Sequence, residues 1–289
     1  MLAQADIVKA SVVAVSSERP CSREMRIATI QVDKPQGSDV SLLTVARDLQ
    51  RRKAREKSGR FVAEGVRTVE ELLRSGLPID GLLASETAAD TPRAAALLER
   101  AAAAGVPILV VTEREFESAA GTEAPQGVLA VAAAPVWTLG SLPITGLRLL
   151  VLDALQDPGN VGTILRTAAA FEVTATIALP GTVDLWNAKV VRSAMGSHFV
   201  HPTLTCTTDA LAPFLAERGI PLWGADAAGT PISEVGVPSH WALAVGNEGA
   251  GLSPATQSLV AGTVALPISA AVESLNVAVA TGILLFALR

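Results

Sequence analysis

The chain has no tyrosine, only three histidines and two cysteines, and aromatic residues fill 3% of its 289 positions. Each scarcity excludes something. Cys21 and Cys206 are too few and too isolated for a disulfide framework or a zinc site, and are expected as reduced thiols. His198, His201 and His240 show no metal-ligand spacing to a cysteine or carboxylate, and read as structural or surface residues. No metal is expected. Four Trp and six Phe leave few platforms for stacked bases. Any nucleic acid would therefore be gripped mainly through phosphate and ribose. No apolar run reaches the roughly 18 to 20 residues that span a bilayer. The most apolar region, near the C-terminus, is broken by Pro267, Glu273 and Asn276. The first residues, with Asp6 and Lys9 beside a short apolar stretch, lack a signal-peptide pattern. The expectation is a cytoplasmic chain with no membrane partner.

What is present is apolar bulk, 49% of residues and mostly Ala, Val and Leu, enough for two compact domains or one large one. A net charge of −5 argues against non-specific coating of nucleic acid, yet the mean hides an asymmetry. Residues 47 to 60 carry Arg47, Arg51, Arg52, Lys53, Arg55, Lys57 and Arg60 against only Asp48 and Glu56. A phosphate backbone would settle there.

Residues 1–40 have weak periodicity and end in the turn-rich Lys34-Pro35-Gln36-Gly37-Ser38-Asp39, so they read as an extension, partly disordered, with Met25 an alternative start. From Ser41 the pattern sharpens. Helices are expected before the basic run, at 66–74, 91–104 and 113–120, with strands at 61–63, 79–84, 106–111 and 127–134. This makes a small α/β domain over 41–134. Residues 135–146, with two prolines and two glycines, read as a linker.

Over 147–289 the strand and helix patterns alternate again. Leu147 to Asp153 is a continuous apolar run of the kind buried on both faces of a parallel sheet. Helices follow at 160–171, 185–195 and 209–217. Strands are expected at 175–179, 199–204, 221–225, 241–245 and 263–267, and a last helix at 274–288.

Three clusters fall near the carboxyl ends of these strands, where open α/β sheets place their ligands. The first is Asp157-Pro158-Gly159-Asn160-Val161-Gly162-Thr163-Ile164-Leu165-Arg166-Thr167-Ala168, in which Asn160 could cap the following helix. The second, Lys189 to Ser197, sets Lys189 and Arg192 three apart on one helix face. The third is Gly246-Asn247-Glu248-Gly249-Ala250-Gly251-Leu252, then Leu266-Pro267-Ile268, then Glu273-Ser274-Leu275-Asn276-Val277-Ala278. Taken singly these are a capped turn, a solvated basic face and a glycine loop. The glycine loop is no P-loop, because no Gly-Lys-Ser/Thr follows.

Together, and in this order, the clusters resemble the three motifs of the SpoU/TrmH family of RNA 2′-O-ribose methyltransferases, within the SPOUT superfamily. The match runs from Leu147 to Arg289. Lys53-Ala54-Arg55 through Phe61-Val62-Ala63-Glu64-Gly65 is similar to the opening of the ribosomal-protein-like RNA-binding domain that many members carry. The chain departs from the family at Ile268 and Ala270, where Met and Gly are frequent.

The resemblance implies a trefoil-knotted catalytic domain, S-adenosylmethionine as cofactor and a homodimer built through the C-terminal domain. By position it implies cofactor contacts at Gly246, Leu266 and Leu275, with Asn247, Ile268 and Ser274 nearby. It implies Arg166 as the group beside the reacting 2′-hydroxyl. Arginine stays protonated, so binding the adjacent phosphate and stabilising an alkoxide is the easier role for it. Asn160, Ser274 and Asn276 would orient arginine and ribose, with Glu248 as polar support. The RNA would meet Arg51, Arg52, Lys53, Arg55, Lys57 and Arg60 in front, and Lys189 and Arg192 behind. Structured RNA, ribosomal more than transfer RNA, is the expected substrate. Two rivals stand beside this reading: a non-catalytic RNA-binding or assembly protein that kept the fold, and a nucleotide-dependent enzyme of ordinary doubly wound type.

Overall fold

The computed structural model describes residues 41–122, 124–236, 238–269 and 271–289. The expectations for residues 1–40, with Cys21 and Met25, and for Ala270 lie outside them.

The front domain opens with α1 (Leu42–Asp48), whose cap Ser41 accepts from the Thr44 amide. Its apolar stripe of Leu43, Ala46 and Leu49 is buried. The basic run that follows is itself a helix, α2 (Arg52–Ser58), ended by Gly59 at φ 63°. Then come β1 (Arg60–Glu64), α3 (Val66–Ser75), β2 (Ile79–Ser85), α4 (Pro92–Ala103), β3 (Ile108–Val111), α5 (Glu113–Ala119) and β4 (Val128–Ala133). The sheet order is β1-β4-β2-β3, antiparallel except for the β2–β3 pair. Val62, Leu83, Leu129 and Val131 face α1 and α5, and Phe61, Leu82, Val128 and Ala130 face α3 and α4. Such period-two alternation puts one apolar set on each face of the sheet.

The second domain contains β5 (Arg148–Leu152), α6 (Pro158–Ala170), β6 (Ala175–Ala178), α7 (Ala188–Ser193), β7 (Thr203–Thr205), α8 (Thr208–Glu217), β8 (Leu222–Pro231), β9 (Trp241–Val245), α9 (Pro254–Gln257), β10 (Gly262–Ala265) and α10 (Val277–Ala287). Its six strands pair in parallel in the order β10-β8-β9-β5-β6-β7. Leu149 to Leu152 are fully buried between α6, α7 and α10 on one face and α8 on the other. From β10, at one edge, the chain returns through residues 266–276 to set α10 against α6. This return, beside the 246–251 loop, is where the resemblance implies the knot.

Several elements differ from the sequence pattern. The last helix starts at Val277 and not at Ser274, because Asn276 caps it by accepting from the amides of Ala278 (2.9 Å) and Val279 (3.3 Å). The expected helix 185–195 shrinks to α7, capped by Asn187 and closed by positive φ at Met195 and Gly196. The expected strand 199–204 is a 3-10 turn (Ser197–Phe199) followed by the short β7. Strand β8 runs past Ala225 to Pro231, and its second half pairs with β10 after a register shift.

The two sheets share a core. Phe61 of β1 packs on Trp186, with ring centroids 4.5 Å apart, and on Phe199 at 5.7 Å. His198 stacks on Trp186 at 3.9 Å. Arg55 is 7% exposed, donates to the carbonyls of Leu49 and Gln50, and pairs with Asp184 at 2.6 Å. The expectation that Arg55 meets RNA is therefore corrected: its guanidinium is consumed in joining α2 to the loop after β6.

Candidate active site

Strands β5 and β9 end side by side, and the loops that follow them build the site. Asp157, not Asn160, caps α6: its carboxylate accepts from the Asn160 amide at 2.7 Å, and Pro158 fills the first helical position. This frees the Asn160 side chain. Its Nδ2 donates to Glu248 Oε1 at 2.7 Å, and its Oδ1 accepts from Asn276 Nδ2 at 3.0 Å. One continuous hydrogen-bonded chain, Asn276–Asn160–Glu248, thus ties the first cluster read from the sequence to two separate segments of the third.

The loop after β9 is held just as closely. The backbones of Asn247 and Gly251 exchange two hydrogen bonds, at 3.0 and 2.9 Å. Asn247 Oδ1 accepts from the amides of Gly249 and Ala250, and its Nδ2 donates to the Ala154 carbonyl at 3.1 Å. Ala154 has φ 58°, a left-handed conformation that costs a non-glycine residue about 1–2 kcal/mol. Its carbonyl is aimed at Asn247 by that conformation, so the local strain serves the site. At Gly246 a Cβ would lie 2.3 Å from the Gly251 carbonyl carbon, so only glycine fits where the loop folds back. Behind the loop, buried Asp153 accepts from the Ser253 amide at 2.7 Å.

These loops border a cavity of about 290 Å³. All six residues expected to touch a cofactor line it: Gly246, Asn247, Leu266, Ile268, Ser274 and Leu275. Its walls are largely apolar, with Val264 and Leu284 among them, and its polar groups include the side chains of Asn247, Ser274 and Thr281 and the carboxylates of Asp226, Glu248 and Glu273. The group implied by the resemblance, S-adenosylmethionine, fits this chemistry. A flat adenine suits the leucine and isoleucine walls, backbone groups at Gly246 stand unobstructed by any side chain, and the carboxylates match a cationic sulfonium. Sequence reasoning missed Asp226, because the pairing that carries β8 beyond Ala225 is a long-range event with no local signature.

Arg166 is exposed on α6 and is not part of the cavity wall. Its helix neighbours Thr163 and Thr167 line a shallow apolar groove with Val279, Ile283 and Phe286 of α10. Of the expected RNA contacts, Arg51, Arg52, Lys53 and Lys57 are exposed on the front domain, Arg60 is half-buried and Lys189 is exposed on α7 beside half-buried Arg192. Ser274 sits in the loop before α10, on the cavity and not on the helix. His198 and His201 are buried structural residues: Nε2 of His198 bonds Thr203 at 3.1 Å and Nε2 of His201 bonds Thr176 at 2.8 Å.

Residues 148–286 match the model of the SpoU rRNA Methylase family, and residues 44–130 match that of the MRM3-like substrate binding domain. The chain is 36% identical to the 23S rRNA (guanosine(2553)-2′-O)-methyltransferase of Bacillus subtilis, over 83% of this chain and 93% of that one. It is 32% identical to the 23S rRNA (uridine(2479)-2′-O)-methyltransferase of Streptomyces viridochromogenes, over 83% of this chain and 86% of the other. Among solved structures, a SpoU methyltransferase from Streptomyces viridochromogenes in complex with AdoMet superposes with a TM-score of 0.77 at 26% identity, over 85% of this chain and 96% of that one. The chain belongs to the SpoU rRNA methylase family, a group of S-adenosylmethionine-dependent RNA 2′-O-ribose methyltransferases.

Proposed function

We propose that the protein methylates a ribose 2′-hydroxyl in ribosomal RNA and acts as a homodimer. The observation that carries this reading is the Asn276–Asn160–Glu248 chain at the mouth of a cavity suited to S-adenosylmethionine. When bound, the cofactor supplies an electrophilic methyl group. The chain's own residues position the nucleophile. Asn160, fixed at both ends of its amide, holds the Glu248 carboxylate where a ribose hydroxyl can be oriented. Arg166, permanently cationic, binds the phosphate beside the target and stabilises the alkoxide as the 2′-proton passes to solvent water. Ser274 and Asn276 border the same mouth from the other side. Relatives named for 23S rRNA, and a front domain of substrate-binding type, favour ribosomal over transfer RNA.

The dimer reading rests on the α6–α10 groove. Val279, Ile283 and Phe286 are 51%, 45% and 53% exposed, a clustered apolar face of the kind that protein interfaces cover. A dimer through this face sets Arg166 at the seam between protomers.

Calorimetric titration with S-adenosylmethionine tests the site. Wild type is expected to bind with micromolar affinity, and Leu275→Arg, which drives a cation into the cavity, is expected to lose it while staying folded. A folded wild type that does not bind would leave a non-catalytic RNA-binding protein as the better account.

A further inference from the structure

A second cleft, about 700 Å³ against about 290 Å³ for the cofactor cavity, opens between the two domains. Its floor is the loop that leaves β6 and the end of β7, residues 178–186 and 203–207. Arg52 and Arg60 of the front domain line it together with Trp137 from the interdomain segment. Trp137 is half-buried, its underside packed on the α8 face of the core.

The two arginines hold exposed ion pairs, Arg52 with Glu56 and Arg60 with Asp80, and Arg60 also donates to the Ser58 carbonyl at 3.2 Å. Such pairs contribute about 0–1 kcal/mol, so a phosphate can displace them. Burial pushes the Cys206 thiol in the cleft up to about 11, so it stays protonated at neutral pH.

The cleft and the cofactor cavity flank one rim. Thr182 Oγ donates to the Leu152 carbonyl at 3.0 Å and the Val183 amide to the Leu155 carbonyl at 2.8 Å. On the other side Asn247 Nδ2 reaches the Ala154 carbonyl at 3.1 Å. The loops after β6, β5 and β9 thus form a bonded row, with the cleft at one end and the cavity at the other.

We propose that this cleft takes an unpaired nucleotide of the RNA close to the one that is methylated, its base against Trp137 and its phosphates on Arg52 and Arg60. The proposal rests on the methyltransferase reading. The size is right for a single nucleotide, since ligand clefts run to roughly 300–1,000 Å³. The chemistry is also that of single-strand recognition, in which an aromatic face takes a base and arginines track the backbone. Scarce as aromatics are in this chain, Trp137 shares the cleft with two arginines whose ion pairs face solvent.

The test uses the full-length protein, an unmodified 23S rRNA transcript carrying 4-thiouridine, and two sets of variants. Arg52→Glu with Arg60→Glu alters one exposed and one half-buried surface side chain, and an unchanged denaturation midpoint checks the fold; it is expected to raise KM for RNA about tenfold or more, through lost phosphate contacts, at unchanged kcat and cofactor affinity. Trp137→Ala is expected to do the same, and Trp137→Phe to restore most of the loss. Photo-cross-links in the wild type are expected at residues 135–137 or 178–186. An unchanged KM in the doubly charge-reversed variant, or cross-links confined to other surfaces, overturns the cleft assignment while methyl transfer by wild type upholds the enzyme reading. A wild type that neither binds the cofactor nor transfers methyl overturns both.

Discussion

Asn160 uses both ends of its amide, and this is possible only because Asp157 relieves it of capping α6. Replacing Asn160 by alanine frees Glu248 and Asn276 at once, without touching the cavity wall. The Asn160→Ala variant is expected to keep cofactor affinity but lose about 100-fold in kcat, the scale of one removed orienting group at a reacting oxygen. Single-turnover transfer rates beside calorimetry separate the two quantities. The buried histidines make a different prediction. Burial, with His201 adding to it, holds His198 down to about 3, and burial alone holds His201 at about 4, against 6.5 for a free histidine. As pH falls from about 6.5 towards 4 the unfolded chain takes up protons that the folded chain refuses. Stability therefore drops through that window, by up to about 1.4 kcal/mol per pH unit for each histidine, and is fully retained above it. Urea midpoints at pH 7.5, 6 and 5 measure this, and a profile flat over that range contradicts the neutral buried pair.

Among the elements, α6 carries both Asn160 and a tight helix approach. It meets α7 through Gly162, where a Cβ would fall 2.4 Å from Ser193 Cβ and 2.7 Å from the Val190 carbonyl. Gly162→Val is expected to push the helices apart, cost about 1–3 kcal/mol and shift Asn160. A lower denaturation midpoint together with weakened methyl transfer is the expected signature, and a variant as stable and active as wild type contradicts the contact. Elements with a strong local signal were legible in the sequence: the apolar run of β5, the strand 241–245 and the Asn-Val-Gly helix all carry their burial in their own residues. The start of α10 was not, because Ser274 and Leu275 read as a helical turn until Asn276 is seen to cap. Nor was the reach of β8, which depends on its partner β10. The six residues expected at the cofactor were picked by motif identity, and they line one cavity. Asp157 lay in the first motif, yet its role is clear only from the hydrogen bond it accepts.

At the scale of the molecule, the two domains are joined by a buried charge pair and an aromatic stack, with Phe61, Trp186, His198 and Phe199 in one core. Arg55 illustrates how a basic run misleads. Its neighbours face solvent, but the side chain one turn along α2 folds inward, which no one-dimensional charge count reveals. Arg55→Ala strands Asp184 as an unpaired, largely buried charge and is expected to cost about 3–5 kcal/mol, whereas Arg55→Met with Asp184→Leu is expected to recover much of that loss. Chemical denaturation of the three proteins decides it, and equal losses in single and double variants contradict a clamp between the domains. The central claim, however, concerns chemistry. It is tested most directly by incubating the protein with methyl-labelled S-adenosylmethionine and unmodified ribosomal RNA, digesting to nucleosides and identifying the labelled product by mass spectrometry. The account predicts label in a 2′-O-methylnucleoside with wild type, and loss of most of it with Asn160→Ala; label on a base, or none from a wild type that binds the cofactor, would contradict it.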